Sequence, residues 1–380
     1  MTERRTPTEE KAAEGATAAA GPRVWLTQLE VDGFRNLERL RQDLSPRLNL
    51  IQGANASGKT SLLEAIHCLC VGKSFRTRKG RELVQWGRER ATVFGRVRCQ
   101  GQTVRLGVAK GRDGDTEIHK DGRQVGSAGA IAALAPVQVV GTEAHALVAE
   151  GPWLRRRFLD WGVFHVEPGY GEAWQRFRHA LRQRNALLRS ARAEEAQLEY
   201  WDGLVGAAGA ELTAARRRYL ELLTEEAATR LRHWFGLELE VAFQPGWAGG
   251  DELRAELARQ RARDREQGFT GRGPHRADLR VRVEGRAADS LSRGQQKAVA
   301  VALRMAQVAV LRAQGKGCLV LFDDLAAELD PANRARVSGF LAEMEVQAFV
   351  TTTEPDAVDV GPWSQRQRFH VEHGRLAPVV

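Results

Sequence analysis

A short apolar run at Leu48, Leu50 and Ile51 meets a glycine-rich loop, and beyond it Leu62, Leu63, Ala65 and Ile66 recur at helical spacing. A brief apolar stretch stopped by glycine predicts a buried strand, and spacing by three and four predicts a helix, so the pattern reads strand–loop–helix. A second apolar run, Cys318 to Phe322, predicts a buried parallel strand ending on Asp323 and Asp324, with Pro331 able to open the next helix. Val299, Leu303, Ala306 and Val310 predict a helix after Ser292. Alternation from Thr92 to Arg98 and from Thr103 to Ala109 predicts two strands with one exposed face. Residues 151–265 are mostly helical in pattern, and Gly151-Pro152 marks their start. Residues 1–22 are rich in Thr, Ala, Gly and Glu, lack the apolar core of a secretory signal, and read as a disordered tail.

The first loop is Gly53-Ala54-Asn55-Ala56-Ser57-Gly58-Lys59-Thr60, which fits G-x-x-x-x-G-K-[ST] in the strand–loop–helix setting that motif requires. Backbone N–H groups of such a loop wrap phosphates, Lys59 neutralises the β/γ oxygens, and the Thr60 hydroxyl binds Mg²⁺. ATP with Mg²⁺ is therefore the expected cofactor. A carboxylate-tipped strand is the usual partner of this loop: Asp323 holds the metal with Thr60, and Asp324 polarises the attacking water. Far downstream, Leu291-Ser292-Arg293-Gly294-Gln295-Gln296 opens a helix. Ser292, Gly294 and the N–H groups around them form a second anion nest there, or simply cap the helix.

Charge changes the picture. The chain carries a formal net charge of +9, and residues 72–112 alone hold twelve basic side chains against Glu82 and Glu89, an excess of +10. Alternation puts Arg96 and Arg98 on one strand face, and with Arg76 and Arg78 they are the expected DNA contacts, tracking backbone phosphates. Arg178, Arg182, Asn185, Arg189 and Arg192 recur at helical spacing, but a solvated helix face explains that stripe more readily than DNA does. The 380 residues, 43% of them apolar, are enough for two compact domains. No apolar run approaches a membrane span, and Cys68, Cys70, Cys99 and Cys318 lack zinc-type spacing and are expected to stay reduced, so a cytoplasmic protein without a membrane partner follows. His145, His165 and His179 form no ligand pattern.

The order of these motifs resembles the ABC-type ATPase head. That resemblance implies that the Ser292 nest faces the γ-phosphate of ATP held by a second copy, hence an ATP-dependent homodimer. It also sets Gln138, between Val137 and Val139, at the family's Q-loop position with a catalytic role beside Lys59 and Asp324; an ordinary polar residue at a strand end fits the pattern equally. From Gln138 to Ser292 is 154 positions. Transporter ATPase subunits, the rival reading, carry a much shorter helical insert, and SMC-type chromosome proteins carry hundreds of coiled-coil residues.

With Gly33-Phe34-Arg35-Asn36, Gly72-Lys73-Ser74-Phe75-Arg76, Arg155-Arg156-Arg157-Phe158-Leu159-Asp160-Trp161 and Gly273-Pro274-His275-Arg276-Ala277-Asp278-Leu279, the chain from Leu26 onward resembles the RecF family of bacterial recombination-repair ATPases. The resemblance implies an α/β fold: an ABC-type P-loop ATPase head of residues 23–150 and 266–380, with an inserted helical lid of residues 151–265. It further implies slow, DNA-stimulated ATP hydrolysis, binding to single-stranded and gapped duplex DNA, and work with RecR and RecO that helps RecA load and supports SOS induction. Two positions depart from the family. Ala56 replaces a usual glycine, so nucleotide binding is expected to be weaker if that backbone is left-handed. Thr351-Thr352-Thr353 lacks the histidine with which transporters sense γ-phosphate, and the pattern leaves open which threonine acts.

Overall fold

Burial alternates along Arg90–Cys99, with Ala91, Val93 and Val97 inward and Arg96 and Arg98 outward. In the computed structural model, which describes residues 23–379 apart from 191, 193 and 249–251, this strand lies inside a six-stranded antiparallel sheet. The order across it is Leu40–Asp43, Val24–Asp32, Arg90–Cys99, Gln102–Gly111, Thr116–Lys120 and Arg123–Gln124. The tail expected over residues 1–22 lies outside the described residues.

The second layer is a mixed sheet in the order Arg375–Val379, Arg366–Glu372, Leu48–Gln52, Gln347–Thr352, Leu319–Phe322 and Val137–Val140. All neighbours are parallel except the first pair. Both faces of the sheet are covered, which is why its central strands read as continuous apolar runs rather than alternating ones. Leu48, Leu50, Val320, Phe322, Ala348 and Val350 face one core, shared with the helix Arg293–Ala313 and the lid. Ile51, Leu319, Leu321 and Phe349 face the other, shared with the helix Lys59–Val71 and the antiparallel sheet. That helix lies very close to the antiparallel sheet: a Cβ at Gly95 would fall 2.5 Å from Leu69 and 2.7 Å from Leu26, so only glycine fits there.

Residues 151–265 hold helices Pro152–Val166, Tyr170–Leu188, Glu195–Phe235 and Leu253–Arg259, and a further helix, Arg261–Gln267, runs past the expected boundary. The 41 residues of Glu195–Phe235 span about 60 Å at 1.5 Å per residue. One strand, Leu239–Gln244, interrupts the helical stretch and pairs antiparallel with Asp278–Val283, so a small three-stranded sheet straddles the boundary expected at 265/266. Hydrophobic packing also crosses that boundary, since Phe177, Leu212 and Tyr219 belong to the same core as Val299 and Phe322.

Candidate nucleotide site and nucleic-acid surface

The strands Leu48–Gln52, Gln347–Thr352 and Leu319–Phe322 end side by side, at the carboxyl edge where parallel sheets bind ligands. Gly53 begins the loop against the neighbouring strand, and a Cβ there would lie 2.3 Å from the Val371 carbonyl oxygen. Ala56 has φ 62°, so its Cβ does sit in the left-handed region, at a cost of roughly 1–2 kcal/mol. Lys59 is 7% exposed, and its ammonium donates to the carbonyls of Gly53 at 2.8 Å and Ala54 at 2.9 Å. Burial holds the Lys59 pKa below its usual value, against the upward pull of Asp324 and Asp323. Thr60 Oγ1 donates to both oxygens of Asp323, at 3.0 and 2.9 Å. Thr351 Oγ1 donates to the same carboxylate at 2.8 Å and accepts the Asp324 N–H at 2.8 Å. Asp324 itself is left-handed, φ 56°, and its buried Oδ1 has no hydrogen-bond partner. The buried Ser57 hydroxyl in the loop is likewise unpartnered. An ammonium, a hydroxyl–carboxylate pair and two orphaned oxygens around one loop are what a magnesium nucleotide requires.

Ser292 caps the helix Arg293–Ala313 in a box with Gln295, its Oγ accepting the Gln295 N–H at 3.3 Å. Ser292 is exposed, nothing stands within 4 Å of a Cβ built on Gly294, and no described hydrogen bond of Ser292 reaches the phosphate loop of its own chain. Lys297, one turn on, bonds the Ala327 carbonyl at 3.1 Å and Glu328 at 3.2 Å. Burial pushes the Glu328 carboxyl pKa up, with Lys297 opposing. On the antiparallel sheet, Arg96 stands directly across from Arg105, and Arg96, Arg98 and Arg105 are exposed with no ion pair among the described residues.

Residues 25–372 match the family profile described as RecF/RecN/SMC N terminal domain. The DNA replication and repair protein RecF of Pseudomonas putida (strain GB-1) is 40% identical over 358 residues, covering 92% of this chain and 97% of that one. Its counterpart in Thioalkalivibrio sulfidiphilus (strain HL-EbGR7) is 43% identical over 358 residues, covering 92% and 98%. The chain belongs to the RecF family. Among solved structures, the recombination mediator protein RecF-ATP of the RecFOR pathway superposes with a TM-score of 0.86 at 27% identity, over 96% of this chain and 100% of that one. An Smc head domain from Pyrococcus furiosus shares the fold, with a TM-score of 0.59 at 16% identity. The ABC-type α/β head expected from the sequence is thereby shown.

Several RecF-type positions take places that the sequence left unresolved. Gln138 lies inside the strand Val137–Val140, facing the helix Arg293–Ala313, on the sheet face opposite the Lys59 helix. Its amide donates to Gln307 Oε1 at 2.7 Å and the Arg304 carbonyl at 3.4 Å, and so ties strand to helix. The loop that borders Asp323 starts at Gly141. Of the three threonines, Thr351 touches Asp323, whereas Thr352 bonds the Glu354 backbone. The Gly33–Asn36 stretch braces the loop: Asn36 donates to the Ala56 carbonyl at 3.3 Å and accepts from Ser61 at 2.7 Å, and Arg35 grips Glu64 through two bonds of 2.9 Å.

The basic positions separate as well. Arg76 pairs with Glu64 at 3.5 Å, Arg78 lies 5.5 Å from the Trp153 ring centre, and Lys110 is buried, donating to the Gly72 carbonyl at 2.8 Å. The lid stripe does not hold as one face. Its helix ends at Leu188, Arg189 and Arg192 lie past it, and the Asn185 side chain accepts from the Thr270 backbone at 2.8 Å. Arg184, outside the stripe, is fully buried, donating to Asp202 at 2.6 Å, Asp264 at 2.7 Å and Thr270 at 2.8 Å. No periodicity distinguishes a structural arginine of this kind from a surface one.

Proposed function

We propose that this chain is an ATP-dependent DNA-binding protein of replication and recombinational repair, acting in the cytoplasm. The observation that carries the nucleotide half is the Thr60–Asp323–Thr351 hydrogen-bond cluster beside the Lys59 ammonium. Bound MgATP would supply a phosphoanhydride whose slow hydrolysis resets the protein. Gly53, Ala54, Asn55, Ala56, Ser57 and Gly58 cradle the phosphates through backbone N–H groups, and Lys59 neutralises their charge. Thr60 and Asp323 present hard oxygen donors suited to Mg²⁺. Asp324, held in place by Thr351, orients water and accepts its proton.

Ser292 and Gly294 face solvent, where a nest completed by a second copy would hold the phosphates of that copy's bound ATP in a homodimer. Arg76, Arg78, Arg96 and Arg98 are the residues that contact single-stranded and gapped duplex DNA in this reading. RecR and RecO are the partners through which RecA loading and SOS induction are served. The relatives give no support to a transporter ATPase, and no described helix is long and apolar enough to cross a membrane.

Lys59→Ala tests the reading. Removing the cation should weaken ATP binding by about 3 kcal/mol, roughly a hundredfold, in titration with a fluorescent analogue. Wild-type hydrolysis should rise on gapped duplex DNA. Unchanged ATP affinity in the variant would refute the loop assignment, and hydrolysis indifferent to DNA would refute the coupling.

A further inference from the structure

Three arginines lie near enough to act on one another's charge where the head joins the lid, and none is in an ion pair with a carboxylate among the described residues. Arg78 comes from the basic segment, Arg157 from the helix Pro152–Val166, and Arg304 from the helix Arg293–Ala313. The Arg78 guanidinium lies over Trp153, which is 45% exposed, and Arg157 follows Trp153 by one helical turn on the same face. Gln307 donates to the Phe158 carbonyl at 2.9 Å and so clamps the two helices together one turn from Arg304. Arg304 is half-buried, and its Nε has no acceptor.

The surrounding carboxylates are already engaged. Asp160 is held by Arg216 at 2.7 Å, Asp278 by Arg155 at 2.8 and 3.0 Å, and Glu64 by Arg35 and Arg76. Burial and the Arg157 charge push the Arg304 pKa down to about 10, and burial and the Arg78 charge push that of Arg157 down. Like charges kept together around a buried orphan donor are stabilised by an anion.

We infer that Arg78, Arg157 and Arg304, arranged around Trp153, form a seat for a backbone phosphate of DNA at the head–lid joint. Forked guanidinium groups match phosphate oxygens, and Arg78 and Arg157 are exposed, so a polymer can lie across them. The seat rests on the DNA-binding reading above but moves the grip away from the outer sheet face of Arg96 and Arg98. Because Arg304 shares a helix with Ser292, DNA held here bears on the helix that caps the second copy's nucleotide.

Arg157→Glu decides it, with Arg157→Lys and the double variant Arg96→Glu/Arg98→Glu beside it, in the full chain with MgATP. Binding of Arg157→Glu to single-stranded and duplex DNA should fall about tenfold on unrelated sequences, and the salt slope should drop by about one. Arg157→Lys should keep most of the affinity, and ATP binding should be intact in all three. Wild-type DNA affinity and slope in Arg157→Glu overturn the seat, whereas a wild-type protein that binds no DNA overturns the function itself. Inorganic phosphate separates the two sources of the anion. If phosphate raises the melting temperature of wild type but not of Arg157→Glu, and DNA binding is equal in both, the seat holds a free anion and the DNA assignment fails.

Discussion

Ala56 shows how far one side chain can be read in advance. Glycine is indifferent to the sign of φ, but a Cβ in the left-handed region meets the following carbonyl. At φ 62° Ala56 carries that cost, while its carbonyl is held by Asn36. Ala56→Gly should therefore raise the unfolding free energy by about 1 kcal/mol, the sign opposite to most glycine substitutions. Urea denaturation measures it, and a lower midpoint would mean that the loop does not hold this backbone. Asp324 is left-handed too, φ 56°, and its N–H bond to Thr351 holds that backbone. Strain of this kind persists only where neighbours impose it.

At the scale of elements, the helix Arg293–Ala313 combines two tasks. Its inner positions, from Val299 to Leu311, fill the core between sheet and lid, and its first turn is exposed and capped by Ser292. The cap is worth about 1 kcal/mol to the monomer, and the same N–H groups form the nest proposed for the second copy's nucleotide. Ser292→Arg should leave monomer ATP binding near wild type and abolish the dimer, whereas Ser292→Thr retains both cap and dimer. Sedimentation with a non-hydrolysable analogue distinguishes them. A normal dimer in the arginine variant would exclude a nucleotide sandwiched at this helix.

At the scale of the molecule, two buried imidazoles and one half-buried one sit at packing seams. His67 joins the Lys59 helix to the Lys73 carbonyl at 2.7 Å, His165 meets the Trp161 and Phe164 rings edge-on, and His275 bonds the Thr270 carbonyl at 2.9 Å. Burial lowers their pKa values to about 4, about 3 and about 4. Unfolded imidazoles protonate near 6.5 while the folded ones stay neutral to about 4, so the unfolded state binds more protons throughout that window. Stability should thus be full above about pH 6.5 and fall as pH drops towards 4, by about 1.4 kcal/mol per unit for each such histidine. Urea midpoints at pH 7 and pH 5 check the direction, and His165→Phe should flatten the curve. Equal midpoints would mean that the three rings are not held neutral.

The nucleotide loop and its helix, the carboxylate-tipped strand, the capped helix and the exposed arginine face were legible in the sequence, because each depends on local spacing. A phosphate loop needs glycine and lysine at fixed offsets, and alternation alone decides which side of a strand is wet. Contacts between distant segments were not legible. Gln138 is a polar residue in an apolar run under either reading, and only the sheet order turned it towards Gln307. Thr351 was one of three adjacent threonines until the strand Gln347–Thr352 was set between Leu48–Gln52 and Leu319–Phe322. Arg184 and Arg304 look like any other arginine in a basic chain, yet one is sealed among Asp202, Asp264 and Thr270 and the other lacks an acceptor for its Nε. What a side chain faces is set by packing across hundreds of residues, and local periodicity carries no record of it.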